Sequence, residues 1–134
     1  MLTENDVIDF LVLYLKNNGY TIEHISYTNQ RGDDIVAKKE DKYLYIESKG
    51  QTSSDPKSKR YNLGFDSAQK KIHVAEAILK AMETKCKHPN ENVGIAFPDD
   101  NRHRTVITNI FSLLKKLDII VFFVNEDGKI DRLQ

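Results

Sequence analysis

The stretch "GDDIVAKKEDKYLYIESKG", residues 32–50, decides the fold of this chain because it predicts two short strands joined by a tight turn. Residues 34–39 and 42–50 contain β-branched and aromatic side chains with period-two alternation, which is typical of strands. Glu40 and Asp41 separate the two runs. A β-hairpin is therefore predicted here, and the rest of the chain is interpreted outward from it.

The register of this hairpin sets which side chains face each other. When Lys39 pairs with Lys42 across the turn, later pairs keep the same sum of residue numbers, so Asp34 faces Glu47. Facing residues of an antiparallel pair project to the same side, with Cβ atoms about 4.5–5.5 Å apart. Period-two alternation adds Lys49 to that side. We therefore expect two acids and one base to share one end of the hairpin.

The same alternation sorts the remaining hairpin residues. Leu44 and Ile46 fall on the opposite face, toward the core. Asp33 also points away from Glu47, so Asp34 is the better candidate ligand, although a one-residue bulge would reverse that choice. Directly opposed carboxylates repel, and Mg²⁺ is a cation that takes one or two protein carboxylates. The register thus predicts a metal site, the alternative being a solvated, charged face of a hairpin.

The elements outside the hairpin complete a single α/β domain over residues 1–134. Thr3 and Asp66 are predicted to cap two helices. The pattern predicts a mixed central sheet with helices on both faces, built as an α-β-β-β-α-β core plus a C-terminal helix and strand. The predicted segments are a helix at 2–18, a strand at 20–27, a helix at 66–85, a strand at 92–98, a helix at 102–117, a strand at 119–124 and a turn at 125–130 that leads into a small hairpin.

Composition limits the function classes. Twenty basic residues balance 20 acidic ones, so attraction to a polyanion has to come from a local patch. The one cysteine, Cys86, excludes an internal disulfide and a cysteine-rich metal site. The longest apolar run, at 119–124, is too short to span a bilayer. The acidic N-terminal stretch lacks the basic region of a signal peptide. We expect a cytoplasmic protein without a membrane partner.

The hairpin residues resemble the PD-(D/E)xK nuclease superfamily, which has the restriction-endonuclease-like fold and includes archaeal-type Holliday junction resolvases and RecB-type nuclease domains. An aspartate that opens a strand, followed by an apolar strand ending in Glu-x-Lys, maps onto Asp34, Glu47 and Lys49. Asp33 stands where the family has its proline. The resemblance covers roughly residues 3 to 98.

The resemblance implies a metal-dependent nuclease, endo- or exo-acting, with DNA as its expected substrate. Asp34, Glu47 and the backbone carbonyl of Ser48 would hold Mg²⁺ or Mn²⁺. Lys49 would orient or deprotonate the attacking water and neutralise charge on the phosphate. Cutting both strands of a duplex would suit a homodimer, and the apolar C-terminal strand at 119–124 is the one interface signal noted in the sequence.

Two further family features have counterparts in this chain. Glu4 continues the apolar stripe of the first helix and matches an acid that many members place near the metal; the alternative is that Glu4 only favours the helix dipole. Gln69 matches a glutamine of RecB-like members, whereas His73 replaces the tyrosine four residues later. A solvated glutamine beside an apolar stripe is the alternative for Gln69. That stripe consists of Ala68, Ile72, Ala75, Leu79 and Met82.

A polar and basic loop follows the Glu-x-Lys strand at residues 51–64. Its cations could track a phosphate backbone beside the site, or the loop could simply be solvated. The residues predicted to bind substrate are Arg31, Lys57, Lys59, Arg60, Lys70 and His73.

Two alternatives to an enzyme remain at this stage. One is a catalytically silent module with a nuclease-like fold that binds nucleic acid or protein. The other is a purely structural subunit, in which alanine at both Asp34 and Glu47 would leave stability unchanged or raise it.

Overall fold

The computed structural model describes residues 1–27, 32–53, 55, 57–59 and 63–134, and these form one mixed sheet with helices on both faces. None of the helices in these ranges is both long enough and apolar enough to cross a membrane. The elements are α1 Glu4–Asn17, β1 Thr21–Ile25, β2 Ile35–Lys39, β3 Lys42–Ser48, α2 Ser67–Lys87, β4 Asn92–Pro98, α3 Asn101–Lys116, β5 Ile119–Val124 and β6 Ile130–Leu133.

The six strands lie in chain order across the sheet. β1, β2 and β3 form an antiparallel meander. β4 and β5 then run parallel to β3, because α2 and α3 carry the chain back across the sheet before each of them. β6 pairs antiparallel with β5, through the extra hairpin that the sequence predicted. The predicted α/β class and order of elements are confirmed.

The predicted register of the central hairpin is also confirmed. Lys39 pairs with Lys42 and Ile35 with Ile46, so the sum of paired numbers is constant along β2 and β3. Glu40 has a positive φ of 57° in the two-residue turn. β2 and β3 pair without a bulge, and the choice of Asp34 over Asp33 as the residue facing Glu47 therefore stands.

Two apolar cores cover the two faces of the sheet. The first lies under α1, where Ile8, Leu11 and Leu15 pack against Leu44 and Ile46. The second lies under α2 and α3 on the opposite face. All six residues of β5 are buried between β4 and β6. The apolar C-terminal strand is therefore part of the core, and the signal for an interface read from it was wrong.

The helix starts follow their sequence signals. Thr3 Oγ1 accepts from Asp6 N at 3.1 Å, and Asp6 Oδ2 accepts from Thr3 N at 2.9 Å. This capping box starts α1 where it was predicted. Asp66 caps α2 in the same way. Both helices begin at the end of the sheet where β3 ends, so their N-termini lie near Lys49.

Candidate functional site

Asp34 occupies a bend immediately before β2 and is only 7% exposed. Its Oδ2 accepts a hydrogen bond from Ser48 N at 2.7 Å, and its main-chain carbonyl accepts from Ser26 N at 2.9 Å. The side chain therefore receives an N–H of β3 at the point where the β2–β3 ladder ends. This bond fixes the Asp34 carboxyl next to the end of β3.

The carboxyl groups of Asp34 and Glu47 lie close to each other, and each affects the pKa of the other. Burial raises the pKa of both groups, and the neighbouring charge of Asp34 raises the pKa of Glu47 further. When both carboxyls are ionised, their two negative charges repel each other.

Lys49 and Glu4 complete a cluster around this pair. Lys49 favours the charged form of Asp34, Glu47 and Glu4, since its ammonium lowers the pKa of each. Burial raises the pKa of Glu4, and the charge of Glu47 raises it further. The structure therefore brings four of the residues predicted for the site to one end of β3.

Gly50 explains how α1 reaches the end of β3. A Cβ on Gly50 would overlap Glu4 N and would lie 2.7 Å from the carbonyl carbon of Thr3. Gln51 then ties the two segments together, because its N–H donates to Leu2 O at 2.7 Å and its Oε1 accepts from Leu2 N at 2.9 Å. The first turn of α1 is thereby held against the Glu-x-Lys segment.

A cleft of about 280 Å³ opens beside this cluster. Burial and the nearby charge of Lys49 lower the pKa of His73, which favours a neutral imidazole. Its ring packs edge-on against Phe65 with centroids 4.6 Å apart. His73 thus lies at the cleft even though it departs from the family's tyrosine. The lining residues are Glu4, Lys49, Gly50, Thr52, Ser53, Phe65, His73 and Glu76.

The side chains of Gln69 and Lys70 interact with residues that do not line the cleft. Gln69 Oε1 accepts from Asp66 N at 2.9 Å, which closes the capping box of α2. The Lys70 ammonium lies 3.2 Å from Asp100 Oδ2, and both side chains are mostly buried. Both residues have structural partners, and their roles at the site stay predictions.

The cations of the basic loop lie where the structure describes only part of the chain. Lys57 and Lys59 are exposed. Arg31 and Arg60, also predicted to bind substrate, lie outside the described residues. The phosphate contacts of the loop therefore remain a prediction.

The sequence interpretation missed a buried pair at the start of α3. His103 is fully buried, its Nδ1 lies 2.8 Å from Asp100 Oδ2, and its ring stacks on Phe97. Gln51 Nε2 also donates to Asp100 Oδ2, at 3.0 Å. Although burial alone would raise the pKa of Asp100, the hydrogen bonds from His103 hold it well below its usual range. The available signal was an aspartate N-cap followed three residues later by histidine.

The donors at the site fit a divalent cation. The Asp34 and Glu47 carboxyls lie close together there, and a bound cation would offset the repulsion between their charges. In the described ranges no three His, Cys, Asp or Glu side chains could hold a metal ion together. Mg²⁺ usually binds only one or two protein carboxylates and keeps several water ligands, so two carboxylates suit it. The Ser48 carbonyl is the predicted third donor.

A larger cleft, of about 540 Å³, lies at the opposite end of the sheet. It borders the start of β3 at Lys42 and the start of β5 at Ile119. Two of its cations already bond main-chain carbonyls: Lys42 Nζ donates to Asn90 O at 2.6 Å and Lys85 Nζ to Glu91 O at 2.9 Å. Glu4 and Lys49, which surround the acidic pair, line the smaller cleft but not this one, so the smaller cleft is the functional candidate.

No family model matches this chain, and no curated protein matches it. The structure of Pyrococcus furiosus SfsA in complex with Ca²⁺ is similar, with a TM-score of 0.38 and 13% sequence identity. The likeness covers 95% of this chain and 58% of the SfsA chain, so this chain spans little more than half the length of that protein. A likeness of this extent assigns no function here.

Proposed function

We propose that this chain is a metal-dependent nuclease that hydrolyses phosphodiester bonds, with DNA as the substrate class implied by the resemblance. The observation that supports the proposal best is the meeting of Asp34, Glu47 and Lys49 at one end of the β2–β3 hairpin. Two neighbouring acids with an ammonium beside them form a set that can bind a cation and an anion together.

Asp34, Glu47 and the backbone carbonyl of Ser48 would hold Mg²⁺ or Mn²⁺. When bound, the ion supplies Lewis-acid chemistry, withdrawing electron density from a phosphate oxygen and offsetting negative charge. The hydrogen bond from Ser48 N keeps the Asp34 carboxyl turned toward β3 in advance of binding. Holding a ligand carboxylate in place beforehand lowers the cost of ordering it when the cation arrives.

Lys49 acts on the phosphate and on water. Its side chain lines the cleft, so its ammonium can attract a phosphate and stabilise the negative charge that grows on the phosphoryl oxygens. A lysine can also release a proton more readily than an arginine, which suits it to orient or deprotonate the attacking water. Replacement by arginine should therefore impair the reaction.

Glu4 and His73 face the same cleft from α1 and α2. Because burial and Glu47 raise the pKa of Glu4, its carboxyl is shifted toward the range in which it can accept a proton from water. The lowered pKa of His73 favours its neutral imidazole, which can donate one hydrogen bond to a phosphate oxygen without adding charge.

The purified chain should be incubated with supercoiled DNA, single-stranded DNA and RNA in the presence of Mg²⁺, Mn²⁺ or EDTA. We expect cleavage with either metal and none with EDTA. Lys49→Ala should lower the rate by about 10²-fold or more, as loss of an acid–base group does, while calorimetry should still detect Mg²⁺ binding. Lys116→Ala, at an exposed lysine near the end of α3, is the control and should cleave normally.

Two outcomes would defeat the proposal. One is that no tested nucleic acid is cleaved under any metal condition. The other is that Lys49→Ala cleaves as fast as the wild type. Salt-dependent binding of nucleic acid without cleavage or metal affinity would instead support the silent binding module.

A further inference from the structure

One face of α2 is apolar and exposed, although the helix already packs another face against the sheet. Ile72 is 58% exposed, Leu79 60% and Met82 44%. The stripe read from the sequence thus faces away from the sheet. The residues of α2 that are buried against its own core are Val74, Ala77, Ala81 and Thr84. A helix at the surface of a globular domain needs one apolar stripe, and α2 has two.

The exposed stripe has the spacing of a coiled-coil seam. Its positions are separated alternately by four and three residues, which is the repeat that keeps two helices in contact along their length. The stripe covers almost three heptads, whereas one apolar contact could arise by chance. Its members, all exposed, are Ala68, Ile72, Ala75, Leu79, Met82 and Cys86; we refer to this set as the α2 seam.

The charges beside the α2 seam favour one orientation of a second identical helix. Glu76 and Glu83 lie on one flank of the seam and Lys71 lies on the other. In a parallel pair, a residue on one flank meets the partner residue five positions later on the opposite flank. Lys71 would then face Glu76 of the second copy, twice by symmetry. An antiparallel pair would bring the glutamate flanks together and repel.

Apolar surface continues from the α2 seam onto α3. A cleft of about 300 Å³ is lined by Met82 and Cys86 on one side and by Leu117 and Ile119 on the other. Leu113 is 60% exposed and Leu117 46%. Contiguous exposed apolar surface of this kind marks an interaction site. The end of α3 would widen an interface centred on α2.

We propose that this chain forms a two-fold symmetric dimer in which the α2 helices of two copies pair in parallel along the α2 seam. Each helix then buries both of its apolar stripes, one in its own domain and one against its copy. The dimer goes beyond the nuclease assignment and does not depend on it. Because Glu76 also lines the candidate cleft, the pairing would place Lys71 of one copy at the rim of the other copy's cleft.

Analytical ultracentrifugation of the full chain tests the association. We expect a dimer at about 0.1 mM, a concentration that detects dissociation constants of that order or tighter. Leu79→Glu should convert it to a monomer. Leu13→Glu is the matched control, because Leu13 is 58% exposed on α1, away from the seam; this variant should remain dimeric. A monomeric wild type, or a Leu79→Glu variant that stays dimeric, would overturn the proposal.

Oxidative crosslinking tests the orientation, since Cys86 is exposed and lies at the end of the seam. Parallel pairing brings the two copies of Cys86 together, so mild oxidation of the wild type should give a disulfide-linked dimer that reductant reverses and that Leu79→Glu prevents. In an antiparallel pair Cys86 would lie opposite residue 68. Crosslinking of Ala68→Cys without crosslinking of the wild type would overturn the parallel arrangement.

Charge reversal tests the pairing across the seam. Lys71→Glu and Glu76→Lys, each made alone, place like charges opposite each other twice per dimer and should weaken association roughly tenfold. The double variant restores opposite charges and should regain the wild-type dissociation constant. Single variants that associate like the wild type, or a double variant no better than either single one, would contradict the proposed contact.

Discussion

The close pair of carboxyl groups at Asp34 and Glu47 opposes folding when both are ionised. Glu47 has its pKa raised to about 7 by burial and by the charge of Asp34. Its folded pKa thus exceeds the usual glutamate value of 4.5, so the folded state binds its proton more tightly than the unfolded state does. The stability from this group is present below about pH 4.5 and is lost as pH rises through about 7. A cation would reverse that loss.

Glu47→Gln should therefore stabilise the metal-free protein at pH 8. The neutral amide removes the repulsion with Asp34, and one pKa unit corresponds to about 1.4 kcal/mol, so we expect a gain on the order of 1–2 kcal/mol in the free energy of unfolding. Mg²⁺ should raise the melting temperature of the wild type at pH 8, less so at pH 5, and should not affect the variant. Urea and thermal denaturation at both pH values measure these differences.

Glu23→Gln provides the control, since Glu23 is an exposed acid on β1. It should change neither the unfolding free energy nor the response to Mg²⁺. A Glu47→Gln variant that is less stable than the wild type at pH 8 without metal would mean that the Asp34–Glu47 pair is not a source of repulsion.

The junction of α1 with β3 depends on the absence of one side chain. Gly50 follows Lys49 directly, and the backbone at Thr3 and Glu4 lies against it. The N-terminal turn of α1 can reach the end of β3 only because no Cβ intervenes. This close approach places Glu4 near Glu47 and Lys49, and it therefore links the helix to the candidate site.

Gly50→Ala should destabilise the chain by about 1–3 kcal/mol, the range for overpacking a well-packed region. The added methyl meets backbone atoms, which cannot rotate away as a side chain can. Chemical denaturation measures the loss, and the cleavage assay should show lower activity because Glu4 is displaced. Gly64→Ala is the control, since its Cβ would meet the flexible Met1 Sδ at 3.1 Å. Equal stability of Gly50→Ala and the wild type would contradict the close approach.

The chain as a whole has a formal net charge of zero. It therefore lacks a general positive field that would concentrate nucleic acid around it. If the chain binds nucleic acid as proposed, the attraction has to come from local cations, and Lys57 and Lys59 are the exposed cations among the described residues of the basic loop. Such a protein should bind nucleic acid with a modest dependence on salt, because few counterions are released.

We replace Lys57 and Lys59 together by alanine and plot log Kd against the logarithm of salt concentration. The slope of that plot should become smaller in magnitude by about 2 for duplex DNA, and by less for single strands. Fluorescence anisotropy with labelled oligonucleotides over a salt series, in Ca²⁺ or EDTA to prevent cleavage, measures the slope. The double alanine variant at Lys115 and Lys116, at the end of α3, should keep the wild-type slope. An unchanged slope in the Lys57 and Lys59 variant would mean that the two lysines are solvated and do not contact nucleic acid.

Local sequence determined the elements, their order and the central register. The turn at Glu40 and Asp41 sets the pairing of β2 with β3, and a one-residue slip would have moved every apolar side chain to the wrong face. Thr3 and Asp66 set the helix starts through contacts three residues apart. Signals of this kind lie within a few residues along the chain, so periodicity and turn chemistry are sufficient to predict them.

Only the tertiary structure decided which distant groups meet. Gln51 bridges Leu2 and Asp100, each 49 residues away from it, and no local pattern encodes that link. The orientation of α2 was decided in the same way: the helix offers two apolar stripes, and the one with Ala77 and Ala81 is buried against the core. Small side chains permit a close approach of backbones, which leaves the larger residues of the α2 seam facing outward. Periodicity reports that a face is apolar, whereas packing decides what covers it.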